Sequence, residues 1–75
     1  ETVAALIRRR RPTLIAGVPT LYAALANDPG LERADLSCLR AAFSGADTLP
    51  RPVKEAFEAL VRLRGGNVRL LEGYG

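Results

Sequence analysis

The sequence predicts an α/β fold in which helices and strands alternate and three parallel strands form one sheet. Three observations support this fold class. Apolar residues recur at helical spacing in several stretches, short apolar runs lie between them, and proline or glycine separates the two kinds of segment. Strands joined through helices pair in parallel by right-handed crossovers. With 75 residues, 48% of them hydrophobic and 25% charged, the chain is long enough for a single small core.

The first predicted element is a helix over residues 1–10. Val3, Leu6 and Ile7 recur at helical spacing, and arginines fill the last turn, where cations interact favourably with the helix dipole. Pro12 ends the helix because its ring cannot continue it.

The second and third elements are a strand over residues 13–18 and a helix that begins at Pro19. The run "TLIAGV" is short, apolar and rich in β-branched residues, which is typical of a strand buried on both faces. Proline suits the first turn of a helix, and Leu21, Tyr22 and Leu25 then form an apolar stripe. The sequence "NDPG" that follows stops this helix.

A polar connection leads to the second predicted strand. The connection covers residues 31–38, and Asp35 is the expected cap of a short helical turn at residues 36–39. The stretch "RAAFS", residues 40–44, is the second strand, and residues 45–50 form a loop.

The last helix and strand complete the alternation. Pro52 opens a helix whose apolar stripe comprises Val53, Ala56, Phe57, Leu60 and Val61. Charged residues four apart, Lys54 with Glu58 and Glu58 with Arg62, are expected on its outer face. Gly65 and Gly66 supply a left-handed helix end, and residues 67–72 form the third strand.

Composition excludes several classes of function. Histidine is absent and Cys38 is the single cysteine, so catalytic triads, internal disulfides and cysteine zinc sites are not expected, and a reducing cytoplasm suits the chain. The net charge is +3, and its one concentration, residues 8–11, is interpreted as a solvated helix end, so no nucleic-acid partner is predicted. No transmembrane segment is predicted. Because the chain starts at Glu1 and stops abruptly, we expect residues 1–75 to be a fragment of a longer protein.

Two glycine-containing loops are the candidate ligand site. Residues 44–48 and residues 73–75 each follow a predicted strand, and ligands of open α/β sheets bind beyond the carboxyl ends of the strands. If these strands are neighbours, the two loops lie side by side and border a pocket for a planar ligand such as a purine, on which Tyr74 could stack. The alternative is an ordinary strand-to-helix turn and a terminal surface tyrosine.

The order of four stretches indicates a family. "RPTLIAGVPTLYAAL", "DLSCLRAAFSGADTLP", a helix containing "VKEAFEAL", and "LLEGYG" together resemble the AMP-forming acyl-CoA synthetases of the adenylate-forming superfamily. These enzymes join a carboxylic acid to AMP with Mg-ATP, release pyrophosphate, and transfer the acyl group to coenzyme A. The resemblance covers nearly the whole chain, which it places in the AMP-binding part of the large N-terminal domain.

The resemblance also implies site residues. Residues 44–48 match the loop that borders adenine and the acyl site, although Asp47-Thr48 stands where many members have Ala-Pro. The end of the chain matches the start of the YGxTE signature, in which the aromatic ring stacks on adenine. The implied nucleotide-binding residues are Gly45, Ala46, Asp47, Thr48, Glu72, Gly73, Tyr74 and Gly75. Pro19, Thr20 and Tyr22 are implied to lie near the acyl pocket.

The parts of the family's active site that handle phosphate are not in this sequence. The signature threonine and the Mg²⁺-associated glutamate would follow Gly75, and the phosphate loop, the ribose-binding aspartate and the C-terminal lysine are also missing. No catalytic residue and no metal ligand is therefore assigned here, and the chain alone is expected to be inactive.

The resemblance leaves the acid open. It implies that the parent protein uses ATP, coenzyme A and a small carboxylic acid, which we expect to be a fatty acid. We expect the parent protein to act in lipid metabolism in the cytoplasm. Peripheral association of the parent protein with a membrane is compatible with the resemblance. The alternatives are an adenylation domain for an amino or aryl acid, and a non-catalytic nucleotide-binding or interaction module.

Overall fold

The computed structural model describes residues 2–72 and confirms the α/β class. Its helices and strands, in chain order, are α1 Val3–Arg10, β1 Leu14–Gly17, α2 Pro19–Ala26, a 3₁₀ turn Pro29–Leu31, β2 Ala41–Ser44, α3 Arg51–Leu63 and β3 Leu70–Glu72. The strands form one sheet in the order β1-β2-β3, and both neighbouring pairs are parallel. Helix and strand therefore alternate as predicted. None of the helices within residues 2–72 has the length and apolar character needed to cross a membrane.

Local signals account for where the helices begin and end. The Thr2 hydroxyl accepts a hydrogen bond from the backbone N–H of Ala5 at 3.1 Å and caps α1, whose last turn is followed by Arg11 in the left-handed conformation. Prolines occupy the first turns of α2 and α3, where no intrahelical N–H bond is lost. At the end of α3, Gly65 adopts φ +95°, as predicted for a left-handed cap.

The strands differ from the prediction in extent, whereas the turn before β2 agrees with it. All three strands are shorter than predicted, and β3 is short because it pairs with β2 only from the point where Ala42 lies opposite Leu70. As predicted, Asp35 caps a single turn at residues 36–39: its Oδ1 accepts the N–H of Ser37 at 3.0 Å, and the N–H of Leu39 donates to the carbonyl oxygen of Leu36 at 3.1 Å.

One face of the sheet carries the core. The buried apolar side chains of residues 2–72 form a cluster between this face and the helices: Ala4, Ile7, Tyr22, Leu25, Leu31, Ala34, Leu36, Leu39, Ala42, Leu49, Phe57, Val61, Val68 and Leu70. At its centre the rings of Tyr22 and Phe57 meet edge to face with centroids 4.9 Å apart. The Tyr22 hydroxyl donates to the carbonyl oxygens of Phe43 at 2.5 Å and Ile15 at 3.2 Å.

The opposite face of the sheet, called the open face below, is not covered by any residue of the described range. The prediction that the first strand is buried on both faces is therefore wrong: Leu14 is 53% exposed, and Ala16 is exposed as well. Leu71 of β3 is 47% exposed on the same face. The sequence pattern could not predict which face of the strand is exposed, because a short apolar run has the same pattern whether or not this segment covers its second face.

The prediction that Glu58 lies on the solvent-exposed face of α3 is also wrong. It was expected on the outer face of α3, but its side chain is only 13% exposed. Its Oε2 accepts hydrogen bonds from Lys54 Nζ at 2.6 Å and from the backbone N–H of Leu70 at 2.7 Å. Burial opposes ionisation of Glu58, but these two hydrogen bonds and the charges of Lys54 and Arg62 together hold its pKa below the usual value.

The open face leads to a prediction about the isolated 75-residue chain. We expect poor solubility and binding of a hydrophobic dye such as ANS, because apolar side chains are exposed on that face and β1 and β3 are unpaired edges within residues 2–72. The measurement is dye fluorescence together with thermal unfolding followed by circular dichroism. A sharp cooperative transition in a monomeric sample without dye binding would contradict this expectation.

Candidate functional site

The three strands end level with one another at one edge of the sheet. In the paired register Gly17 lies opposite Ser44, and Ser44 lies opposite Glu72. The three strand ends therefore lie at the same edge, which is where open α/β sheets bind ligands. The prediction that the loops after the second and third strands leave neighbouring parallel strands is confirmed for the strands. Gly73, Tyr74 and Gly75 themselves lie outside the described residues.

A cavity of about 550 Å³ lies at this edge. It is lined by Ala16, Gly17, Val18, Phe43, Ser44, Gly45 and Ala46. None of these residues is charged, and Phe43 is the one aromatic residue among them. The cavity is therefore suited to an uncharged, largely apolar group rather than to a phosphate.

The strand register decides which side chains form the cavity wall. Residues paired across parallel strands present their side chains to the same face, so Ala16, Phe43 and Leu71 share the open face. By the same rule Ile15, Ala42 and Leu70 face the helices. A Cβ atom added at Gly17 would collide with the side chain of Leu21 in α2, which confirms that Gly17 faces the helices.

The loop after β2 brings backbone to the cavity. The N–H of Gly45 donates to the carbonyl oxygen of Gly17 at 2.9 Å and extends the ladder between the strands by one residue. Ala46 has φ 73°, a left-handed conformation that costs a residue with a side chain about 1 kcal/mol. Asp47 Oδ1 accepts the N–H of Thr48 at 2.8 Å and turns the chain away from the sheet.

Of the described residues predicted to bind nucleotide, two line the cavity and three lie outside its lining. Gly45 and Ala46 line the cavity, whereas Asp47 and Thr48 are exposed beside it. Glu72 is exposed at the end of β3, level with Ser44. Four of the five described residues of this set thus follow β2, and one ends the neighbouring strand.

The residues predicted near the acyl pocket lie on α2, beside the cavity but not in its lining. Pro19 directly follows the lining residue Val18, and Thr20 is exposed. Tyr22 has no exposed surface and its hydroxyl is engaged by two backbone carbonyls, so it has no surface with which to contact a ligand. Tyr22 is a core residue in this structure, and contact with an acyl group stays a prediction for Pro19 and Thr20.

Sequence reasoning missed the apolar wall of the cavity. Ala16, Val18 and Phe43 were not singled out, although each lies within one or two residues of a strand end. The signal that could have found them is the alternation of side chains along a strand, once the two strands are known to end together. Ser44 is 1% exposed, and its Oγ has no hydrogen-bond partner among the described residues.

No metal site is formed by the described part of the chain. Within residues 2–72 no three histidine, cysteine, aspartate or glutamate side chains are grouped closely enough to hold an ion.

Comparisons with known proteins match this chain over its length. The family model described as "AMP-binding enzyme" matches residues 1–75. A long-chain-fatty-acid–CoA ligase of Bacillus subtilis (strain 168) is 41% identical over 70 residues, which is 93% of this chain and 12% of the relative. A 4-coumarate–CoA ligase 2 of Oryza sativa subsp. japonica is 45% identical over 53 residues, 71% of this chain and 9% of that protein. A feruloyl-CoA synthase of Amycolatopsis sp is 33% identical over 73 residues, 97% of this chain and 14% of that protein.

Proposed function

Because the chain belongs to the AMP-binding enzyme family, we propose that it is a segment of an AMP-forming acid–CoA ligase. Such an enzyme joins a carboxylic acid to AMP with ATP, releases pyrophosphate, and passes the acyl group to coenzyme A. The observation that carries the proposal is the cavity at the carboxyl ends of β1 and β2, in which Gly45 and Ala46 lie. The chain spans only 12% of the length of its Bacillus relative, so most of the enzyme lies outside this segment.

We assign the two sides of this edge to different parts of the reactants. The wall formed by Ala16, Val18 and Phe43 is apolar and suits the hydrocarbon part of the acid. The backbone of residues 45–48 and the end of β3 at Glu72 border the adenine. Glycine at position 45 allows a flat base to approach the backbone closely.

The proposed acid is a fatty acid, and an aryl acid is the second candidate. The name of the Bacillus relative specifies a long-chain fatty acid, whereas the plant and actinomycete relatives are named for coumarate and ferulate. Both kinds of acid have an uncharged tail, which agrees with a lining that holds no charged residue. An amino acid is the third candidate, because its ammonium group would have to reach Asp47 or Glu72, which lie outside the cavity lining.

The described residues supply a wall of the proposed site rather than its chemistry. Transfer of AMP requires groups that stabilise charge on the phosphoryl oxygens, usually Mg²⁺, lysine or arginine. We assign this chain no metal ligand and no step at phosphorus, because the resemblance places the residues that handle phosphate in other parts of the enzyme. We propose that other parts of the enzyme hold those groups, that the 75-residue chain alone is inactive, and that the enzyme acts in the cytoplasm.

Pyrophosphate release by the full-length protein tests the function. The assay contains ATP, coenzyme A and one acid at a time: palmitate, 4-coumarate, ferulate or an amino acid. We expect release that depends on palmitate, and none from the 75-residue chain. Release with 4-coumarate alone would support the aryl acid, whereas no release with any acid would argue against a ligase.

Replacing Phe43 with alanine tests the acid side of the cavity. We expect kcat/KM for the acid to fall about tenfold, because the side chain's apolar contact with the substrate is lost, while KM for ATP changes less than about twofold. Steady-state kinetics of the full-length protein measure both constants. Leu71→Ala is the control, because Leu71 is on the same open face but not in the cavity lining. If the two substitutions lower kcat/KM for the acid equally, Phe43 does not contact the acid specifically.

A further inference from the structure

Glu58 links α3 to the first residue of β3. Both of its hydrogen bonds end on the same oxygen, Oε2: one comes from Lys54 in α3, and the other from the backbone N–H of Leu70. A carboxylate that accepts an N–H bond forms a short, charge-assisted bond, and the 2.7 Å distance to Leu70 is typical of one. Because the Glu58 side chain is only 13% exposed, water competes weakly for this bond.

The bond to Leu70 matters because β3 has few other backbone anchors. The strand is three residues long, and within the described residues it pairs with β2 alone. The N–H of Leu70 is donated to Glu58 and is not available for a further strand. Glu58 thus fixes the end of β3 that is remote from the candidate site, two residues before Glu72.

We propose that Glu58 is a positioning residue for the nucleotide side of the site. Its carboxylate holds the start of β3 against α3 and so keeps Glu72 level with Ser44, at the edge where the cavity lies. The inference rests on the proposed function, since it has Glu58 act through β3 on the side of the site that is proposed to border adenine. A displacement of about 1 Å at such an edge is enough to weaken a positioned contact strongly.

An ordinary surface ion pair would not have this effect. Exposed pairs four residues apart in a helix contribute little to stability, and their loss leaves the backbone of other elements in place. The Lys54–Glu58 pair differs because the same oxygen also binds a strand. The consequence is selective: a change at Glu58 affects the nucleotide, whereas the acid contacts β1 and β2 and is unaffected.

The test uses four variants of the full-length protein. Glu58→Leu removes the acceptor for the Leu70 N–H, Glu58→Gln keeps an oxygen there, and Glu58→Asp keeps the charge but shortens its reach. Glu55→Leu is the matched control, because Glu55 is an exposed residue of the same helix. The measurements are the Kd for AMP by calorimetry, KM for the acid, and hydrogen exchange of the Leu70 amide.

We expect Glu58→Leu to raise the Kd for AMP about tenfold, because displacement of the β3 end weakens contacts with the nucleotide, and to leave KM for the acid within about twofold. Exchange of the Leu70 amide becomes faster in Glu58→Leu and stays unchanged in Glu55→Leu. Glu58→Gln changes the Kd for AMP less than about threefold, because its amide oxygen can still accept the N–H. If Glu58→Leu does not fold, Glu58→Asp decides, with an expected rise in Kd of about threefold or more.

The outcomes separate the inference from the proposed function. An unchanged Kd for AMP in both Glu58→Leu and Glu58→Asp, while the unmodified protein binds AMP, overturns the positioning role and leaves the function standing. Equal losses for AMP and for the acid also overturn it, because they indicate general destabilisation. If the unmodified protein binds no AMP, the proposed function fails first, and the positioning role fails with it.

Discussion

Replacing Tyr22 with alanine is expected to lower the free energy of unfolding by about 4 kcal/mol, the typical cost of removing a large aromatic side chain from a core. Tyr22 has no exposed surface, and its ring packs edge to face against Phe57. Tyr22→Phe keeps the ring and removes only the hydroxyl that binds the carbonyls of Ile15 and Phe43, so a loss of about 1–2 kcal/mol is expected. Denaturant unfolding of the full-length protein measures both losses.

The pH dependence of stability gives an independent check on Tyr22. Burial raises the pKa of its hydroxyl, so the folded state retains the proton at pH values where the unfolded chain loses it. The contribution of Tyr22 is therefore fully present below about pH 10, the usual tyrosine pKa, and is lost as the pH rises through the higher folded pKa. Tyr22→Phe should lack this alkaline loss.

Thr20 supplies the control for Tyr22, because it is exposed on the same helix. Thr20→Ala should change stability by less than about 0.5 kcal/mol. The outcome that would contradict a core role is a Tyr22→Phe variant of unchanged stability whose preference among acids has shifted. That result would indicate that Tyr22 contacts the acyl group of the substrate, as the resemblance implies.

Replacing Gly66 with alanine is expected to cost about 2–3 kcal/mol through overpacking. A Cβ atom at this position would lie 2.6 Å from the carbonyl oxygen of Leu36 and 2.7 Å from Cγ1 of Val61. Neither neighbour can move freely, since Leu36 donates its N–H to the carbonyl oxygen of Arg64 at 2.8 Å and Val61 is fully buried in α3. The measurement is the denaturant midpoint of the full-length protein.

Gly65 makes the comparison informative. Its φ of +95° makes alanine strained there, but the nearest atoms to an added Cβ are 3.5 Å away, so only the conformational cost of about 1 kcal/mol applies. Gly66→Ala should therefore be more destabilising than Gly65→Ala. The reverse order would show that backbone conformation, and not close approach, explains the paired glycines.

The sequence alone was enough for the fold class, the order of the elements within residues 2–72 and the glycine-containing loop after β2. Proline at the starts of α2 and α3, the apolar stripe around Phe57, and Gly65 at the end of α3 are local signals that act within about one helical turn. Such signals do not depend on distant parts of the chain, and the alternation of helix and strand then favours parallel pairing. The resemblance in four ordered stretches indicated the family.

The tertiary structure decided the features that depend on residues far apart in the chain. Ala16 and Phe43 form one wall only because the register of β1 and β2 sets them side by side. Helical spacing predicts Glu58 as a surface residue, yet its side chain is only 13% exposed and bonds to Leu70, because α3 packs where β3 begins. Gly66 was predicted as part of a left-handed cap, but it is required because the backbone of Leu36 passes so close. The sequence pattern of a segment predicts the secondary structure that this segment favours by itself. Side-chain packing and strand register depend on contacts between segments that are far apart in the chain.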